Sequence, residues 1–269
     1  MSRICSVTYD VHTYELDPRQ QLSIKGVCGF MIDAAGHNAH ELGFSITQLL
    51  EHNRTWFLNR FLLRIREYPG WRQKITVQTW PSGTQRLLAL RDWHLFCGQR
   101  LIGAATSGWL MIDNRSRRPL RSESYADWRS LVHPQRAIAH SFAKLPALQE
   151  GRGPSAEPEF VVRYGDVDVN NHANYLSYID WILESIPPEV RSGGDLAEME
   201  IHFLLEANFA DAVVSRSQEL GPTDIAPLAG MQAAAQSGTG FLHSLTRSRD
   251  SAELARARTV WRPAARPGG

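Results

Sequence analysis

Three polar residues at alternating positions, Asp168, Asn170 and His172, are the part of this sequence best suited to chemistry. In an extended segment alternate side chains project to the same side, so a carboxylate, a carboxamide and an imidazole would face one cavity. A helical pattern follows at once, and the free N–H groups at the start of a helix favour developing negative charge. Such groups can activate water and stabilise the oxyanion formed when an activated acyl group is hydrolysed.

The same residues also have a simpler interpretation. Asn and Asp side chains bond readily to their own backbone, so Asp168, Asn170 and Asn171 could be turn and capping residues. His172 could likewise be a structural histidine. The motif alone leaves both interpretations open.

The helix after the motif is well specified by its pattern. Asn171 or Asn174 can cap its start, and Pro187-Pro188 is predicted to end it. Apolar residues at helical spacing predict a face packed in the core. These residues are Leu176, Ile179, Leu183 and Ile186.

The sequence shows the same succession of predicted elements twice. Each half has a short apolar strand, one long helix and then several strands, which is an α+β pattern. We predict domains at 1–114 and 158–269, joined by a linker or crossover at 115–157. The predicted strands are 4–11, 55–66, 74–80, 88–96 and 101–112, then 160–162, 198–205, 212–220, 241–247 and 253–261. Helices are predicted at 25–42, 125–131 and 174–186, and irregular stretches at 151–159 and 221–240.

Composition limits the classes of partner. The 269 residues are 43% hydrophobic and 21% charged, and a net charge of +1 argues against a dedicated nucleic-acid surface. Three widely spaced cysteines fit a reducing compartment. The N-terminus lacks a signal layout, and no apolar run is long enough to span a membrane, so we expect a cytoplasmic, bacterial protein without membrane insertion.

No cofactor or metal is expected from the sequence. His37, His40 and Glu41 lie at helical spacing. A zinc pair would more typically be spaced i, i+4 and be joined by further ligands. We therefore predict that these residues form no metal site.

The segment 165–184, in which YxxYIDWILES follows Asp168, Asn170 and His172, closely resembles the active-site segment of acyl-acyl carrier protein (acyl-ACP) thioesterases. That family includes the plant plastid enzymes and their bacterial relatives. The resemblance covers residues 5–263 and implies two tandem hotdog folds, each a long helix wrapped by an antiparallel sheet. It implies hydrolysis of fatty acyl-ACP to fatty acid and ACP. The other matching stretches are DAAGHNAHELGFS (33–45), the strand-loop-strand QTWPSGTQRLLALRDW (78–93) and EIHFLLEANFADAV (200–213).

Matching positions imply a catalytic set of Asp168, Asn170, His172 and Glu206, the last on a strand predicted to reach 206. Some plant members carry a Cys directly after this glutamate, where this sequence has Ala207. Water is therefore the expected nucleophile. Either Glu206 or His172 would be the general base, and Asn170 with backbone N–H groups would bind the oxyanion. Asp168 would orient His172 or Asn170, while a simpler view makes Glu206 a solvated strand end.

The resemblance assigns the acyl chain to the first half, which has no copy of the Asp-x-Asn-x-His motif. The candidates for the wall of an acyl tunnel are apolar residues that could equally be ordinary core. They are Met31, Ile32, Phe44, Trp56, Leu58 and Phe61.

The implied partner is an acyl carrier protein bearing a phosphopantetheine-linked fatty acyl chain. A duplicated fold within one chain fits a monomer or a homodimer. The alternatives are an acyl-CoA thioesterase of the same fold and a non-catalytic protein that binds acyl groups or ACP. Arginines that could receive an acidic carrier, or simply be solvated, are Arg60, Arg64 and Arg66, and Arg115, Arg117, Arg118 and Arg121.

Overall fold

The computed structural model describes residues 4–121, 128–149, 157–221 and 238–264. The chain divides into two compact units, Met1–Phe142 and Ala143–Gly269. In each unit a helix packs on an antiparallel sheet, which confirms the predicted α+β, tandem hotdog fold. Most of the predicted irregular stretches at 151–159 and 221–240 lies outside the described residues. Across the described ranges, no helix combines the length and hydrophobicity needed to cross a membrane.

The first unit has the strand order β1-β3-β4-β5-β2, with β6 paired to β5, and all pairs are antiparallel. Its long helix begins at Ser23, whose side chain accepts the Gly26 N–H. The helix buries Val27, Met31 and Ala34. The elements are β1 Cys5–Asp10, α1 Ile24–Glu41, α2 Ile46–Leu50, β2 Arg54–Ile65, β3 Lys74–Gln85, β4 Leu88–Cys97, β5 Arg100–Asp113, β6 Pro119–Leu120 and α3 Trp128–Leu131.

The predicted strand-loop-strand at 78–93 is confirmed as a hairpin, but the TWPSG stretch lies within its first strand, so the loop is shorter than the predicted strands 74–80 and 88–96 leave between them. Strand β3 continues to Gln85 and forms a hairpin with β4. A register shift between Pro81 and Gly83 accommodates the proline. A bulge is one of the few places where a strand tolerates a residue without an N–H donor.

A buried carboxylate attaches much of the predicted 115–157 linker to the first unit. Asp92 is fully buried on β4 and accepts hydrogen bonds from Ser82 Oγ at 2.8 Å and Thr106 Oγ1 at 2.7 Å. The Ala137 N–H donates to it at 2.6 Å and Arg136 Nε at 3.0 Å. Residues 115–142 therefore belong to the first compact unit, and the division falls after Phe142.

The second unit has the strand order β8-β11-β10-β9-β7, again with antiparallel pairs. Asn174 caps its helix by accepting the Leu176 N–H at 2.9 Å, which decides between the two predicted caps. The helix ends at Glu184, before the two prolines, and Pro188 is the first residue of the next helix. The elements are β7 Glu159–Val161, α4 Tyr175–Glu184, α5 Pro188–Gly193, β8 Gly194–Phe203, β9 Ala212–Glu219, β10 Thr239–Arg247 and β11 Glu253–Pro263.

Candidate active site

The predicted motif lies in a tight loop that precedes α4. An isolated bridge between Val167 and Ala173 closes this loop. Within it, the Asp168 N–H donates to the His172 carbonyl at 2.9 Å, and the Asn171 N–H donates to the Asp168 carbonyl at 3.0 Å. These bonds make the motif a turn rather than an extended segment, which decides between the two forms that its sequence allows. Asn171 has a φ of 62°, a left-handed conformation that Asn tolerates better than most residues, and the chain reverses there.

Asp168 folds this loop through its side chain. Its Oδ1 accepts the backbone N–H of Asn170 at 2.8 Å, as in an Asx turn. The Asn170 carboxamide is on a half-buried side chain and makes no hydrogen bond to another residue within the described ranges. Its two N–H donors are therefore available to a ligand.

His172 and Glu206 meet, although they are far apart in the sequence. His172 Nε2 lies 3.3 Å from Glu206 Oε2, and each side chain is 28% exposed, so both remain accessible to water and substrate. Strand β8 ends at Phe203, so the prediction that Glu206 lies on a strand is wrong. Glu206 lies instead in the connection between β8 and β9.

A third side chain contacts the imidazole. Asn208 Oδ1 lies 3.2 Å from His172 Nδ1. The sequence interpretation missed Asn208, although it stands two residues after Glu206 within a stretch already matched to the family. The same alternation that drew attention to the motif could have identified it.

Tyr178 on α4 holds the segment that carries Glu206. Its hydroxyl accepts the Ala207 N–H at 2.8 Å and donates to the Leu205 carbonyl at 3.0 Å. Burial raises the pKa of Tyr178, so the phenol stays protonated and able to donate. The Ala173 N–H, at the end of the motif loop, donates to the Ala207 carbonyl at 2.8 Å. These bonds join the loop, the helix and the Glu206 segment into one local framework.

The first unit repeats the motif loop with different side chains. The Asp17 N–H donates to the Gln21 carbonyl at 2.7 Å, and the Gln20 N–H donates to the Asp17 carbonyl at 2.9 Å. Asp17 Oδ1 accepts the Arg19 N–H at 2.9 Å, and Gln20 has a φ of 64°. Each of these bonds has a counterpart at the same position in the motif loop of the second unit. Arg19 and Gln21 therefore occupy the positions that correspond to Asn170 and His172.

The Glu206 segment is repeated as well. The Leu22 N–H donates to the Pro69 carbonyl at 2.7 Å, as the Ala173 N–H does to the Ala207 carbonyl. Matching Pro69 with Ala207 places Tyr68 at the position of Glu206. The first unit thus keeps the backbone of this site and lacks its imidazole and its second carboxylate.

A cavity of about 320 Å³ lies in the first unit, against α1. Ile32, Phe44 and Trp56, three of the predicted tunnel residues, line it. Met31, Leu58 and Phe61 are instead buried side chains that do not line it. The remaining lining residues are Ala35, Gly36, Ala39, Leu42, Ser45, Ile46, Thr47, Pro81, Ala89, Leu90, Arg91 and Trp109.

One charged side chain reaches this largely apolar cavity. Arg91 donates to Asn38 Oδ1 at 2.8 Å and to Thr79 Oγ1 at 3.1 Å. Burial lowers the pKa of Arg91 to about 10, so the guanidinium still carries its charge at neutral pH. The lining is therefore mostly apolar, with polar side chains at Arg91, Ser45 and Thr47.

Comparisons with known proteins agree with this arrangement. Oleoyl-acyl carrier protein thioesterase 1 of Arabidopsis thaliana is 27% identical over 275 residues, covering 94% of this chain and 74% of the plant protein. A palmitoyl-acyl carrier protein thioesterase of Cuphea hookeriana is 26% identical, covering 95% and 61%. The crystal structure of an acyl-ACP thioesterase from Bacteroides thetaiotaomicron superposes with a TM-score of 0.80 at 22% identity, covering 97% of this chain and 100% of that one.

The family models cover both compact units. The acyl-ACP thioesterase N-terminal domain matches residues 4–125, and the acyl-ACP thioesterase C-terminal domain matches residues 150–263. The motif loop and Glu206 both fall within the C-terminal match. The chain therefore belongs to the acyl-ACP thioesterase family.

Proposed function

We propose that this chain hydrolyses fatty acyl-ACP with water as the nucleophile, releasing a fatty acid and the ACP thiol. The contact between His172 and Glu206 carries this proposal, because an imidazole 3.3 Å from an accessible carboxylate can accept and hold a proton from water. Asn170, with free donors on the same loop, supplies groups for the oxyanion. Membership in the family supports acyl-ACP as the substrate.

The reaction needs a base that takes a proton from water and a site that stabilises the negative charge on the carbonyl oxygen. Water oxygen attacks the thioester carbonyl carbon while Glu206 or His172 takes a proton from it. The carbonyl oxygen becomes an oxyanion held by the Asn170 carboxamide. The C–S bond then breaks, and the thiolate leaves readily because a free thiol has a pKa of only about 8.5. Ala207 follows Glu206, so no cysteine nucleophile takes part at that position.

We assign the acyl chain to the first unit. The support is the apolar cavity beside α1, lined in part by Ile32, Phe44 and Trp56. The first unit's copy of the motif loop lacks an imidazole and a second carboxylate. This fits a unit that binds the acyl chain without catalysing its hydrolysis. This assignment corresponds to the predicted division into an acyl-binding domain at 1–114 and a catalytic domain at 158–269.

Filling the cavity tests that assignment. Gly36 lines the cavity, and a Cβ added there meets nothing within 4 Å. We expect Gly36→Leu to lower kcat/KM for the longest acyl chains by about 10-fold relative to short ones, since a few methylenes in a pocket are worth that much. Gly29 is the matched control, because it lies on the same helix, is equally open and does not line the cavity. The profile is measured with a series of acyl-ACPs that differ in chain length. An unchanged profile in Gly36→Leu would show that the acyl chain does not bind in this cavity.

The carrier preference tests the main proposal. The same acyl group is presented either on ACP or on coenzyme A, and its hydrolysis is measured as thiol release. We expect a clearly higher kcat/KM for the ACP thioester. Equal or better turnover of the coenzyme A ester would favour an acyl-CoA thioesterase. Tight binding of acyl-ACP without any thiol release would instead indicate a non-catalytic binding protein.

Two further proposals concern where ACP docks on the protein and where in the cell the reaction takes place. All four arginines of the 115–121 group are exposed, whereas only Arg66 is exposed in the other group and Arg60 and Arg64 are half-buried. We therefore assign docking of the acidic carrier to the 115–121 group. We place the activity in cytoplasmic fatty acid biosynthesis by a monomer or homodimer. The cysteines are free thiols, as a reducing compartment requires: Cys5, Cys28 and Cys97.

A further inference from the structure

We propose that Asn208 is a positioning residue that holds the His172 imidazole in its working orientation. Asn208 Oδ1 lies 3.2 Å from His172 Nδ1, and Glu206 Oε2 lies 3.3 Å from Nε2. The ring is thus held at both nitrogens by two residues of one short segment. This role rests on the proposed hydrolysis, because it matters only if His172 takes part in the reaction.

The first unit shows that the turn itself does not require this side chain. There Gly70 occupies the position of Asn208, and its N–H donates to Gln73 Oε1 at 2.6 Å. The Asn208 N–H donates in the same way to Asp211 Oδ2 at 2.9 Å. Glycine therefore makes the same backbone arrangement with no side chain. What the carboxamide adds in the second unit is the contact with His172.

The backbone that carries Asn208 is anchored by one buried carboxylate. Asp211 is buried and lies 3.1 Å from Arg249 Nη1 and 3.7 Å from Arg247 Nη1. Arg247 Nη1 also donates to the Glu206 carbonyl at 3.4 Å. The two residues that contact the imidazole therefore sit on one fixed segment, which is what precise orientation of a catalytic group requires.

Both neighbours of the ring can accept hydrogen bonds. An N–H at Nδ1 can donate to the Asn208 amide oxygen, and an N–H at Nε2 can donate to Glu206. The charged or titratable groups around this segment are Glu206, Asp168 and Asp211, with Tyr178, Arg247 and Arg249.

Replacing Asn208 by the first unit's own residue tests the proposal. We expect Asn208→Gly to fold normally and to lower kcat by up to about 100-fold, the usual cost of a misplaced catalytic group, with little change in KM. Asn208→Asp keeps an acceptor at this position and should recover most of the loss. Its negative charge favours the protonated ring, so the acidic limb of the kcat/KM profile should move to higher pH. Phe209→Ala, an exposed neighbour in the same segment, should leave the pH profile in place.

A second measurement does not depend on activity. In labelled protein, the ring nitrogen signals of His172, assigned with His172→Gln, should shift in Asn208→Gly and stay unchanged in Phe209→Ala. If the wild type hydrolyses acyl-ACP while Asn208→Gly keeps its kcat, its pH profile and its ring signals, the proposal is overturned. If the wild type does not hydrolyse acyl-ACP and the ring signals still shift, the contact stands and the proposed function falls.

Discussion

We expect His172→Gln to lower kcat for acyl-ACP by about 10²–10⁴-fold, the usual contribution of a general acid or base. Glutamine has no group that can take a proton from water. It does fit the loop, because Gln21 occupies the same position in the first unit with the same backbone bonds. The variant should therefore unfold at nearly the same temperature as the wild type, so that lost turnover reports on chemistry rather than folding.

Glu206→Gln is the companion change, since it keeps the shape of the side chain and removes its charge. We expect a similarly large loss, because His172 and Glu206 are in direct contact. The double variant should be little worse than either single variant, since residues that act as a unit give strongly non-additive effects. The check is to measure single-turnover rates with one acyl-ACP, together with thermal unfolding temperatures, for the two single variants and the double variant.

The first unit supplies the control for both changes. Gln21→Ala alters the corresponding loop position, where no carboxylate and imidazole meet. Its turnover should match the wild type. If His172→Gln retained near-normal turnover while folded, or if Gln21→Ala lost as much, the assignment of catalysis to the second unit would be wrong.

The elements of the fold could be predicted because their signals are local. Apolar residues at helical spacing and a capping Asn174 define α4, and alternation with β-branched and aromatic residues defines most strands. Local signals left the path of the motif loop open between an extended segment and a turn. Asp168, Asn170 and His172 alternate like strand residues, whereas an Asx turn and a left-handed Asn171 decide the actual path.

The site could be predicted only in part, because it depends on contacts between distant segments. The family resemblance selected Glu206, and alternation indicates Asn208 only as a residue on the same side. Its contact with the imidazole 36 positions earlier depends on the fold. The duplicated loop was hidden as well. Backbone hydrogen bonds define the copy, while Arg19 and Gln21 share no chemistry with the residues they replace.

Asn170→Ala should lower kcat by about 10²–10³-fold, the usual cost of one oxyanion donor, or about 2.7–4 kcal/mol of transition-state stabilisation. KM should change little, because the donors matter most when negative charge develops on the carbonyl oxygen. The loop should survive the change, since Asp168 accepts the backbone N–H of residue 170 rather than its side chain.

A second substitution separates hydrogen-bond donation from space filling at this position. Asn170→Asp has nearly the same size and shape but no N–H donors, and its carboxylate repels the developing oxyanion. It should therefore be at least as slow as Asn170→Ala, although it preserves the volume. Arg19→Ala at the matched position of the first unit controls for damage to this type of loop. Near-normal turnover of both Asn170 variants would show that the oxyanion is held elsewhere.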